Sequence, residues 1–163
     1  MRRHAIVVGT VALSLAIWSV LSASAQRART HAVKTTVVFV CEHGAARSVI
    51  AAAYFNRLAA ERHLPYRAIA RGTSPQQDLS AATVKGLEAD SVTFDRAKPK
   101  GLSEADARGA ARVVAFCPVP KVFSSLARVD QHDDVPEISR DYGDARNRIV
   151  AYVTQVLDEL EHR

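Results

Sequence analysis

Hydrophobic positions along this chain fall into runs of two alternating periods. Thr35 to Val40 is an unbroken β-branched and aromatic stretch, as expected of a strand buried on both faces. Ser48 to His63 follows with Ala51, Phe55, Leu58 and Ala59 on one helical stripe, and Pro65 stops it. Tyr66 to Ala70 predicts a second short strand, Gly72 to Asp78 a loop, Leu79 to Ala89 a helix and Ser91 to Phe94 an extended piece. Ser103 to Gly109 reads as a helix capped by Ser103, with Asp106 three residues on. Arg112 to Phe116 is the third clear strand and ends at Cys117-Pro118, and Val129 to Glu137 reads as a loop rich in Asp and His. Ile149, Val153, Val156, Leu157 and Leu160 fall at i, i+4, i+7, i+8 and i+11 and predict a terminal helix. Strands alternating with helices imply βαβ units and a doubly wound parallel sheet. Ligands bind such sheets beyond the carboxyl ends of their strands, which is where Cys41 falls.

An earlier apolar run belongs to no βαβ unit. Arg2, Arg3 and His4 form a basic start, Ala5 to Leu21 is apolar or small, and Ala23-Ser24-Ala25 offers a small-x-small cleavage pattern. Residues 1–25 therefore read as a signal peptide cleaved after Ala25, and the expected destination is the periplasm. The run is slightly short for a spanning helix of about 20 residues, so membrane contact is expected only if cleavage fails. Residues 26–34 read as a flexible lead, and 35–163 as one domain. Loss of Arg2 and Arg3 lowers the formal charge from +5 to +3. The remaining basic residues are scattered, which argues against a nucleic-acid partner.

Both cysteines, Cys41 and Cys117, lie beyond the cleavage point. An exported chain with two cysteines ordinarily carries one structural disulfide. The surroundings of Cys41 point to different chemistry. In Cys41-Glu42-His43-Gly44-Ala45-Ala46-Arg47-Ser48, Gly44 permits a positive φ and the two alanines keep the loop thin. Successive N–H groups can then turn inward as an anion nest at a helix N-terminus. Arg47 adds a planar fork for two phosphate oxygens, and Ser48 can donate to a thiolate. Such a loop binds a tetrahedral oxyanion and arms a nucleophile beneath it. His31, His63, His132 and His162 show no metal-ligand spacing, and neither metal nor cofactor is expected.

C-x5-R-S directly after a hydrophobic strand resembles the low-molecular-weight protein tyrosine phosphatase family, which includes the thioredoxin-coupled arsenate reductases. "AIARGTSP" (68–75), "KPKGLSEADARGAARVVAFC" and "HDDVPEISRDYGDARNRIVAYV" extend the likeness over most of 35–163. The resemblance implies an α/β fold: a doubly wound parallel four-stranded sheet, helices on both faces, and the phosphate loop after the first strand. It implies Cys41 as nucleophile, Arg47 as phosphate clamp and Ser48 as thiolate partner, with Glu42, His43, Gly44, Ala45 and Ala46 completing the substrate loop. The family's general acid is the Asp before Pro. Here Asp133-Asp134-Val135-Pro136 makes Asp134 the expected acid and Asp133 the alternative. Glu137-Ile138-Ser139 stand where tyrosine phosphatases often carry aromatic residues. The implied strand order makes the strands before Cys41 and Cys117 neighbours, so both thiols should leave one sheet edge and Cys117 becomes a candidate redox partner.

Three functions follow as expectations. The leading one is an exported cysteine-dependent phosphatase acting on a phosphorylated small molecule or phosphoprotein, phosphotyrosine included, through a phosphocysteine. The second is arsenate reduction with a thiol reductant as partner. The third is a non-catalytic module that binds oxyanions or phosphoproteins.

Overall fold

The computed structural model describes residues 35–162; the expected signal peptide (1–25) and the expected lead (26–34) lie outside them. Four parallel strands form one sheet in the order β2-β1-β3-β4: β1 (Thr36–Cys41), β2 (Arg67–Gly72), β3 (Ala110–Ala115) and β4 (Val129–Gln131). Five helices complete the order: α1 (Arg47–Glu61), α2 (Ala81–Ala89), α3 (Glu104–Gly109), α4 (Lys121–Ser124) and α5 (Tyr142–Glu161). β1 has β2 on one side and β3 on the other, so the chain reverses its direction of winding beside β1. The carboxyl end of β1 is thus the switch point at which such sheets bind ligands.

Side-chain alternation along β1 divides the core. Val37, Phe39 and Cys41 face a large cluster built with Ile50 and Phe55 of α1, Leu87 of α2 and Ile149, Val153 and Leu157 of α5. Phe39 centres it, with the Phe55 ring edge-on at 5.7 Å and the Phe116 ring stacked at 6.2 Å. Val38 and Val40 face the other way, with Val113, Ala115 and Cys117, beneath the α3 side of the sheet.

The expected strands and longer helices form, with ends displaced by one to a few residues. Two differences are substantive. Ser91 to Phe94 pairs with no strand, whereas β4 forms inside the stretch expected to be loop. Three residues are too few to show a period, and two of them are Asp130 and Gln131. What makes the strand is Arg112, buried on β3, which pairs with Asp130 on β4 and with Glu159 on α5 at 2.8 Å.

Asp90, at the C-terminus of α2, ties that helix to α1 and α5. Its carboxylate accepts from the hydroxyls of Tyr54 and Tyr142, each at 2.7 Å, and from Arg146 at 3.0 Å. Tyr142 reaches it over Gly86, where an added Cβ would stand 2.2 Å from the ring. Burial alone would raise the Asp90 carboxyl, but the two hydroxyls and the Arg146 guanidinium outweigh it and hold the group below its ordinary value of 3.8. A depressed folded-state value contributes stability above the unfolded value, lost as pH falls through the folded one. Asp90→Asn should therefore cost about 1–3 kcal/mol in denaturant unfolding near neutrality. The gap from wild type should narrow as the pH falls below about 4.

Candidate active site

α1 begins without a cap. Ala46 stands at its N-cap with no side-chain hydrogen bond, and its first turn holds no acidic residue. α2, α3 and α5 are instead capped by Ser80, Ser103 and Asp141. The loop between β1 and α1 is oriented by bonds to its carbonyls. Cys41 O accepts from Thr73 N at 3.1 Å, Glu42 O from Ser74 N at 2.7 Å, His43 O from Gln76 N at 3.2 Å and Ala45 O from Ser80 N at 3.0 Å. With those carbonyls drawn outward, no backbone N–H from Glu42 to Ser48 has a backbone acceptor among the described residues. Orphan donors at a helix N-terminus, with the dipole behind them, favour an anion.

The nucleophile sits at the base of this nest. Cys41 is 3% exposed and its Sγ lies 3.1 Å from the Oγ of Ser48, which is fully buried. Arg47 is half-buried, and its Nη1 donates to Phe116 O at 3.0 Å and to Val135 O at 3.5 Å. Its Nε and Nη2 have no protein partner among the described residues, so donors remain for two oxygens of an anion. A cleft of about 380 Å³ opens over the loop and brings Cys41, Glu42, His43, Ala45, Ala46 and Arg47 together. Gly44 faces away, at φ 63°, with its backbone against Gly72.

Asp134 is not in the cleft. Its carboxylate accepts from the Tyr152 hydroxyl at 2.7 Å and from Arg148 at 2.9 Å, which turns it onto the surface of α5. The Tyr152 hydroxyl, then Arg148, hold it below the ordinary carboxylate range. A carboxylate held ionised in this way is poorly suited to donate a proton. Asp133 is likewise engaged, by Gln131 Nε2 at 2.7 Å. The carboxylate that the 132–139 segment does place in the cleft is Glu137, with Ile138 and Ser139, while Gln76 and Ser80 line another wall. Glu137 escapes a reading that looks for an acid before Pro136, although an acid directly after that proline was visible.

Cys117 is free, as is Cys41. Val40 registers with Ala115 and accepts a bond from Phe116 N, so Phe116 stands beside Cys41 and Cys117 points to the opposite cluster. Burial pushes the Cys117 thiol up, partly offset by the Thr73 hydroxyl at 4.0 Å.

The loop depends on a bare backbone contact with the end of β2. A Cβ built on Gly72 would stand 2.8 Å from Gly44 N and 2.9 Å from His43 C. Gly72→Ala should thus displace the nest without touching any ligand. The expected result is a loss of at least about tenfold in inorganic phosphate affinity by calorimetry, beside a stability loss of about 1–3 kcal/mol.

No protein-family model and no curated protein sequence matches the chain. Solved structures do match it. YfkJ from Bacillus subtilis is 20% identical with a TM-score of 0.71, over 81% of this chain and 98% of that one. A thioredoxin-dependent arsenate reductase from Corynebacterium glutamicum is 17% identical with a TM-score of 0.63, over 91% of this chain and 72% of that one. A low molecular weight protein tyrosine phosphatase from Streptococcus pyogenes is 16% identical with a TM-score of 0.64, over 77% and 93%. Residues 35–162 carry the α/β fold shared by low molecular weight protein tyrosine phosphatases and thioredoxin-dependent arsenate reductases.

Proposed function

We propose that this chain is a cofactor-free phosphatase that hydrolyses phosphomonoesters through a phosphocysteine on Cys41, and that it acts after export. The observation that carries the reading is the nucleophile's position: a buried Sγ beneath an uncapped helix N-terminus, 3.1 Å from a buried hydroxyl. The nest and Arg47 bind the phosphoryl oxygens and offset the charge that builds on them in the transfer. The Ser48 hydroxyl donates to the sulfur when it is thiolate and when it leaves again. Export rests on the basic, apolar and small-residue succession of 1–25.

Two features favour hydrolysis over arsenate reduction. A reductive cycle needs a second thiol to attack the first adduct, and Cys117 is the only other cysteine. It faces the opposite cluster, and burial raises it. The cleft walls also bear on the substrate. Among the described residues no Phe, Tyr or Trp lines the cleft, so a phosphotyrosine ring would find at most the His43 imidazole to stack on. The fit is to a small or flexible phosphomonoester.

Cys41→Ser should abolish turnover of a generic aryl phosphate while inorganic phosphate binding persists, since a hydroxyl is not ionised near neutrality and the nest remains. Arg47→Lys should weaken both, because an ammonium cannot reproduce a two-point grip. Initial rates with and without dithiothreitol, beside calorimetry with phosphate, give the answer. A serine variant retaining even a tenth of wild-type turnover would remove Cys41 from the reaction.

A further inference from the structure

A second cavity, of about 250 Å³, shares no residue with the cleft over Cys41. It opens where small residues meet. Ala52 and Ala53 on α1 and Ala68 and Ala70 on the edge strand β2 line it from both elements, and methyl groups alone do not fill the space between a helix and a sheet. Val49 and Phe94 extend the apolar wall, and Gly44 lies at the end nearest the phosphate loop.

The mouth has the opposite character. Arg67, Lys98 and Lys100 stand exposed around it, and none has a carboxylate partner among the described residues. Arg71 is already committed to Asp106 at 2.9 Å. The acid of the mouth, Asp95, accepts from Ala97 N at 2.8 Å within its own turn. Three cations against one carboxylate leave the opening positive.

The strand edge adds one aimed donor. Arg67 N donates to Thr35 O, so residues 67, 69 and 71 turn their backbone groups toward β1, and 68, 70 and 72 turn theirs outward. Asn56 satisfies both groups of Ala68, at 2.7 and 3.1 Å. Gly72 is paired with Lys100 and Leu102. Between them Ala70 O accepts from Arg71 at 2.9 Å, whereas Ala70 N has no acceptor among the described residues. One open N–H between two closed positions cannot seat an added strand, which needs a run of them. It can serve one oxygen of an anion.

We propose that this cavity is a binding site for a small monocarboxylate with an aromatic or branched hydrocarbon body, separate from the phosphate site. The body packs against the alanines, Val49 and Phe94. One carboxylate oxygen accepts from Ala70 N, and Lys98 and Lys100 supply the counter-charge. The volume falls just below the roughly 300–1,000 Å³ of drug-sized pockets, which suits about ten heavy atoms and excludes a long acyl chain. Inorganic phosphate would leave the apolar wall bare, and the nest offers it more donors.

The test is a titration of the full chain, labelled with nitrogen-15, by benzoate and by 4-methylpentanoate, followed through its amide resonances. Saturating inorganic phosphate keeps the nest occupied. At least one of the two should bind with a Kd of about 1 mM or tighter and shift the Ala70 amide among the most. Benzyl alcohol, an aromatic body without the charge, should bind at least about tenfold more weakly than benzoate. Lys98→Gln combined with Lys100→Gln should weaken carboxylate binding about tenfold while leaving inorganic phosphate affinity within about twofold. Ala52→Leu, which fills the cavity, should abolish it; should that variant fail to fold, the exposed lysine pair still decides. Kd values above about 10 mM for both carboxylates, displacement by phosphate, or affinity unchanged in the lysine variant would overturn the site.

Discussion

The site depends on where the carbonyls between β1 and α1 are sent. A peptide unit that turns its oxygen outward turns its N–H inward, and four of the loop oxygens are committed to donors in residues 73–80. The nest is thereby assembled by folding, with no reorganisation left for the moment of binding. The same fact explains an apparent defect. α1 is the central helix of the main core face, yet it lacks the cap that Ser80, Ser103 and Asp141 give to other helices. Its orphan donors are unsatisfied by protein because they are the binding surface. A side chain supplied to cap them would compete with the substrate.

This arrangement constrains residues that never meet a ligand. Gly44 and Gly72 meet backbone to backbone, and either Cβ would fall 2.8 Å from the other residue's nitrogen. Gly72 pairs in turn with the 100–102 segment, donating to Lys100 O at 2.9 Å and accepting from Leu102 N at 2.8 Å. The phosphate loop is therefore braced from behind by two further layers of chain. Arg47 adds a brace from the front, through Phe116 O and Val135 O. Clamp, strand end and the 132–139 segment share one set of contacts.

Much of this was legible in the residues. The unbroken run before Cys41 specified a strand buried on both faces, and that strand is the centre of the sheet. Gly44 was read as a left-handed position, and its φ is 63°. What escaped was set by contacts distant in the chain. β4 is held by a buried arginine on another strand, which no local period can report. Asp134 is diverted by Arg148 and Tyr152, fourteen and eighteen positions on, and proximity to Pro136 could not reveal that competition. Glu137, directly after that proline, is the carboxylate of the segment that lines the cleft. Burial of Val135 and Ile138 decides which side chains of the segment face outward.

The two cysteines show how far a topological argument reaches. Neighbouring strands do carry both thiols to the same edge of the sheet, as the order β2-β1-β3-β4 requires. Alternation then separates them. Phe116 registers beside Cys41, so Cys117, one residue further, belongs to the opposite cluster with Val38, Val40 and Ala115. The two side chains therefore start from opposite clusters although Thr73 touches both residues, through its N–H to Cys41 O and its hydroxyl to Cys117 Sγ. A bond between them would consume the nucleophile.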